Sequence, residues 1–270
     1  MQVSNEVAAA LGLRSVRKLL VSGQLKLKDL SCPAPYWIAK QLAQYADPAL
    51  VAPMLLDLAD SLGAQRAQLL FDFRTHSAES ILQPNLATLQ GPAVLLYLDG
   101  VKLGAEQLCR LQNLPPHQHG LPRHCRAGPG LLSIYALADV ACIVSGEALY
   151  YFDPHGSHFV DTEQRGARPV GKAHLFVNSD MPIKFADQFA PFCVFGFNPS
   201  RGFDGTLIRL PLKPSLCETL GSAIDDSGAQ GSQRGEALRK LLQHAVSSTQ
   251  ASSLLFLEYL EDISVSNHFV

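Results

Sequence analysis

The 270 residues carry 22 Lys and Arg against 24 Asp and Glu, a formal net charge of −2, with 47% hydrophobic and 17% charged residues. That balance excludes a disordered chain and offers no basic surface to nucleic acid or to an anionic membrane. The length accommodates one large domain, or one domain with a small helical appendage. The most apolar stretch, 254–260, is far shorter than the ~20 residues of a spanning helix.

Residues 1–13 include Glu6 and no long apolar run, so a secretion signal is not expected. Residues 7–20 repeat apolar side chains at helical spacing and stop at Ser22-Gly23. A second helical pattern runs over 36–45. Asp47-Pro48 then supplies an N-cap and a first-turn proline for a helix over 49–62, which Gly63 closes. Apolar runs at 65–73 and 93–98 read as strands, the second ending in the turn dipeptide Asp99-Gly100. Residues 113–129, rich in Pro, Gly and His, read as a long loop. Strands follow at 140–145 and 148–152, with Gly146-Glu147 as their hairpin turn, and another at 206–212. Residues 222–235 form a surface segment ahead of a last helix over 236–247, and no internal repeat is present. Helices first and strands later predict an α+β fold, with a largely antiparallel sheet and helices over one face.

Several isolated patterns do not add up to chemistry. Cys32, Cys109, Cys125, Cys142, Cys193 and Cys217 are scattered without a C-x-x-C pair, which predicts buried thiols in a reducing, cytoplasmic setting. Gly166 to Gly171-Lys172 has phosphate-loop spacing, but Ala173 stands where a hydroxyl must reach Mg²⁺. His117, His119, His124 and Cys125 match no zinc spacing, Asp153-Pro154-His155 invites an acid–base reading but has no paired nucleophile, and no G-x-S-x-G elbow supports a serine triad.

Four stretches occur in a distinctive order. V-A-P-M-L-L-D-L-A-D-S-L-G-A (51–64) leads into Q-L-L-F-D (68–72), and L-Q-G-P-A-V-L-L-Y-L-D-G occupies 89–100. G-P-G-L-L-S-I-Y-A-L-A-D-V-A-C-I-V-S-G (128–146) precedes F-D-P-H (152–155), and D-Q-F-A-P-F (187–192) precedes G-T-L-I-R-L-P-L (205–212). Over residues 30–262 this set resembles the sacsin-type repeat domain of the sacsin/Nov family, a branch of the gyrase, heat-shock-protein-90 and histidine-kinase ATPase superfamily. The resemblance implies a Bergerat-type sandwich, a mostly antiparallel mixed sheet covered on one face by helices. It implies a helical appendage over 1–30, the ATPase-fold domain over 31–262 and a tail over 263–270, within a longer multidomain protein.

In that superfamily the first helix carries a glutamate, the general base, and four residues later an asparagine that ligates Mg²⁺. Here the matching positions are Met54 and Leu58. Leucine offers a metal no oxygen, and loss of a general base alone removes ~10²–10⁴ in rate. Asp57 and Asp60 lie elsewhere around the helix, at ~100° per residue. Asp99 matches a polar residue that meets the nucleotide base, and is equally a turn residue before Gly100. Gly128 and Gly130 match a phosphate-binding G-x-G, with Pro129 removing one N–H between them, and Thr206 matches a Gly-Thr near the base. Only Arg123 and Arg126 remain of the family's basic loop residues. The resemblance therefore implies a degenerate module that binds protein clients or neighbouring domains, chaperone-like or scaffolding, without efficient ATP hydrolysis. No cofactor, metal, nucleic acid or membrane is expected to take part. The alternatives are a residual ATP-switched chaperone holding ATP and Mg²⁺, and a structural spacer.

Overall fold

Strands with apolar residues at successive positions need cover on both faces, and four such runs build the centre of this fold. The computed structural model describes residues 28–33, 35–43, 50–113, 131–159, 169–216, 230–248 and 257–268. The strands are β1 (Lys28–Leu30), β2 (Arg66–Asp72), β3 (Ala93–Asp99), β4 (Ala141–Gly146), β5 (Ala148–Asp153), β6 (Val170–Leu175), β7 (Phe203–Pro211) and β8 (Asp262–His268). They form one sheet in the order β1-β6-β5-β4-β7-β3-β2-β8. Neighbours are antiparallel except β2 and β8, which run parallel. The α+β class and the mostly antiparallel mixed sheet are as expected.

Alternation along the strands feeds two apolar clusters, one on each face. On β3, Val94, Leu96 and Leu98 join the first cluster, while Ala93 and Leu95 join the second. Over the first face lie helices α1 (Pro35–Leu42), α2 (Val51–Ser61), α3 (Ala105–Asn113) and, further along the chain, Gln230–Ser248. That last helix packs against α2 and buries Ala237, Leu238, Leu241 and Ala245. The second face is covered by a 3₁₀ segment at Pro84–Gln90 and by the short helices α4 (Met181–Lys184) and α5 (Ala186–Phe189). Phe176, Phe189, Phe192 and Phe197 pack there mainly edge to face. Helix Gln230–Ser248, α6, completes the described helices used below.

Differences from the sequence expectation have local causes. β6 reads V-G-K-A-H-L, with no apolar run, and incorporates Gly171, Lys172 and Ala173 of the phosphate-loop-like stretch. Gly171 lets β1 approach, since a Cβ there would lie 2.7 Å from the Leu30 carbonyl oxygen. Residues 263–268, expected as a tail, run beside β2 as an edge strand. β7 begins at Phe203 rather than 206, and α6 begins at Gln230 rather than 236. The turn between β4 and β5 is as expected, with Gly146 at φ 59°. Cys142 is buried, Cys32 and Cys109 are half-buried and Cys193 is exposed, none of these four in a disulfide, so the buried-thiol expectation fails at Cys193. The expected helix at 7–20, the histidine cluster, Arg123, Arg126, Gly128, Gly130, Cys125 and Cys217 lie outside the described residues.

Candidate functional site

Helix α2 sets the region that the sequence singles out. Leu55, Leu56, Leu58 and Ala59 recur at helical spacing, so the helix lays that face on the sheet and ends at Gly63, with φ 77°. Leu58 is 0% exposed and belongs to the cluster of Leu98, Leu103, Leu131 and Leu132, while Met54 is half-buried. Neither side chain offers an oxygen to a divalent ion, so Mg²⁺ does not fit at Met54 and Leu58. Asp57 is exposed. Asp60 turns instead to the chain's other end, where its Oδ1 accepts the backbone N–H groups of Glu258, Tyr259 and Leu260 at 2.9, 2.7 and 3.0 Å.

Thr206 lies on the same face as α2, opposite Leu98 on β3 and Ser145 on β4. Its hydroxyl donates to the Val101 carbonyl at 2.7 Å and sits 2.8 Å from Ser145 Oγ, which accepts the Leu103 N–H at 2.7 Å. Because Thr206 spends its proton on Val101, Ser145 is the donor between the two hydroxyls. The result is a one-way chain from Leu103 N–H through Ser145 and Thr206 to Val101, with both hydroxyls buried. It fixes the turn after β3. The preceding Gly205 is required by close approach, since a Cβ there would lie 2.8 Å from both the Leu98 oxygen and the Tyr97 ring.

Asp99 does not join Leu58 and Thr206. Tyr97 packs on the second cluster, stacked on Phe195 at 5.2 Å, and its hydroxyl donates to Asp99 Oδ1 at 2.9 Å. Burial and the neighbouring Asp99 push the Tyr97 hydroxyl up to about 12. Arg66 Nε lies 3.4 Å from Asp99 Oδ2. Two residues along one strand share a side, so the Asp99 carboxylate lies across the sheet from α2 and both its oxygens are engaged.

Comparison with known proteins bears on the whole of this arrangement. The chain matches the family described as Sacsin domain over residues 34–268. This chain belongs to the sacsin domain family. It is also 28% identical over 184 residues to sacsin from Homo sapiens, an alignment covering 64% of this chain and 4% of human sacsin. The chain therefore corresponds to a small part of that much longer protein.

Within this sacsin domain, the remaining sequence motifs meet one another on the second face. Asp187 accepts from Ser77 Oγ and the Ser80 N–H at 2.9 and 2.8 Å, bonds that hold its carboxyl below the usual range. Gln90, of the L-Q-G-P stretch, donates to the Asp187 carbonyl at 3.2 Å. Gln188 accepts the Leu82 N–H and donates to the Tyr151 hydroxyl. Arg209, 2% exposed, donates to the Leu89 and Gly91 carbonyls beneath the same stretch. Asp153 Oδ2 accepts the His158 and Phe159 N–H groups at 2.7 and 3.1 Å, which caps the D-P-H turn. Each partner lies far along the chain or two turns away, and sequence reading had no periodicity by which to pair them. Among the described residues, no group of three or more His, Cys, Asp or Glu is placed to hold a metal, and no helix is long and apolar enough to cross a membrane.

Proposed function

We propose that this chain is a degenerate ATPase-fold module that works by binding protein, as a chaperone-like or scaffolding domain, without efficient ATP hydrolysis. The reading rests on Leu58. The family resemblance places an Mg²⁺ ligand there, and the position instead holds a 0% exposed leucine within the first apolar cluster. Opening that position to a hydrated ion means giving up a fully buried leucine, worth roughly 1.5–3 kcal/mol of transfer free energy. The engagement of Thr206 by Val101 and Ser145 supports the same reading, because its hydroxyl has no spare proton for a nucleotide. Its partners are protein clients or other domains, and its site of action is the cytoplasm.

Calorimetric titration of the 270-residue chain with ATP and ADP, with and without Mg²⁺, tests this. We expect no detectable heat at millimolar nucleotide. Mg²⁺-dependent binding would overturn the reading, and Mg²⁺-independent binding would replace it with a nucleotide sensor that does not hydrolyse.

A further inference from the structure

The two edges of the sheet are treated differently. β1 is three residues long, carries Lys28 and Asp29, and ties Asp29 to Lys172 at 2.6 Å. Short, charged edges resist pairing with other strands. β8 is seven residues long with no Lys, no Pro and an unbroken register against β2. Its Val265 is 41% exposed.

The open side of β8 can be read from its ends. The Asp262 N–H donates to the Gln65 carbonyl at 3.1 Å, and the His268 carbonyl accepts the Phe73 N–H at 2.9 Å. In a parallel ladder a residue turns both its backbone groups to the same side, and the next residue turns both to the other. Asp262, Ser264, Ser266 and His268 therefore face β2, while Ile263, Val265 and Asn267 present their N–H and C=O groups outward. Among the described residues no strand pairs with that side.

About its centre the sequence of β8, D-I-S-V-S-N-H, sets Asp262 against His268, Ser264 against Ser266 and Val265 against itself. We infer that β8 pairs antiparallel with β8 of a second copy, across a twofold axis that is normal to the sheet and passes between the two Val265 residues. In that register Ile263 faces Asn267 of the other copy, and Val265 faces Val265. All three outward residues then fall in hydrogen-bonded pairs, each exchanging two backbone bonds. Any other centre pairs fewer of them. The same register sets Asp262 beside His268, acid against base, and Ser264 beside Ser266, at cross-strand contact distance. Faces are preserved, so the Val265 pair continues the side on which Ile263 packs against the first cluster. The two sheets become one continuous sheet.

Sedimentation equilibrium of the full chain over a range of concentrations tests the pairing. Wild type is expected to rise toward twice the monomer mass. Val265→Pro deletes an outward N–H without touching the β2 ladder, a position where edge strands accept proline, and is expected to stay at monomer mass with unchanged circular dichroism. Val265→Lys places a charge at the twofold and is expected to do the same, so it decides the matter should the proline variant not fold. Asp262→Lys is expected to weaken association, and His268→Asp added to it to restore association. A wild type that remains monomeric throughout, or a dimer that survives in both Val265 variants, overturns the proposal.

Discussion

His174 sits on β6 at 4% exposure, its ring edge-on to Tyr151 at 6.0 Å and neither ring nitrogen hydrogen-bonded to a described residue. Burial first, and the Lys172 charge second, push its pKa down to about 4. The folded protein thus keeps the ring neutral while the unfolded chain takes up a proton below ~6.5. Stability is lost as pH falls from ~6.5 toward 4 and levels off below, by roughly 3 kcal/mol at most. Asp72 acts in a lower window. Burial raises its pKa, but hydrogen bonds from His76 and Arg74 outweigh that and hold the carboxyl well below its usual range, so its contribution is present above ~4 and lost in stronger acid. Urea midpoints measured at pH 7 and pH 5 should therefore fall more steeply for wild type than for His174→Phe. Equal falls would mean that the imidazole takes up its proton inside the fold. At this scale the sequence is informative where spacing alone decides. Positions four apart on a helix share a face, so the two positions that the family resemblance assigns, Met54 and Leu58, fall on one side of α2. It is silent where the side of a strand decides: Asp99 ends β3 and Thr206 lies within β7, and only the register shows that they lie on opposite faces.

The same limit governs the elements. β2, β3, β4 and β5 announce themselves by consecutive apolar residues, which demand burial on both faces. β1, β6 and β8 carry no such run, and exist because a neighbouring strand offers its ladder. The segment leading into β8 is held by one carboxylate, since Asp60 on α2 gathers the N–H groups of Glu258, Tyr259 and Leu260. Their separation of about 200 residues along the chain leaves no sequence trace of the contact. Asp60→Ala should cost about 2 kcal/mol, the scale of leaving part-buried donors without an acceptor. It should also act locally. In hydrogen exchange, amides of Ser264, Ser266 and His268, which face β2, should lose protection while those of β3 at the sheet centre keep it. Unchanged protection along β8 would show that β2 alone sets its position.

For the molecule as a whole, the question is whether two apolar clusters on one sheet behave as one core. Each central strand serves both: on β7, Leu207 enters the second cluster, and Ile208 and Leu210 enter the first. Neither cluster can be opened without removing one face of strands that the other still needs, which predicts a single cooperative transition. The chain supplies a reporter on each side. Trp37, the single tryptophan, lies on α1 beside Ile38 of the first cluster, with the Lys40 ammonium 5.5 Å from its ring. Cys142 lies in the second cluster, and burial pushes its thiol up to about 12, so it reacts only when that face opens. Across a urea series, Trp37 fluorescence and the labelling of Cys142, located by peptide mass, should share one midpoint. Labelling that begins at lower urea than the fluorescence change would instead make the aromatic face a separate, weaker unit. The motif contacts of Gln90, Asp187 and Gln188 would then stabilise that unit alone rather than the whole sheet.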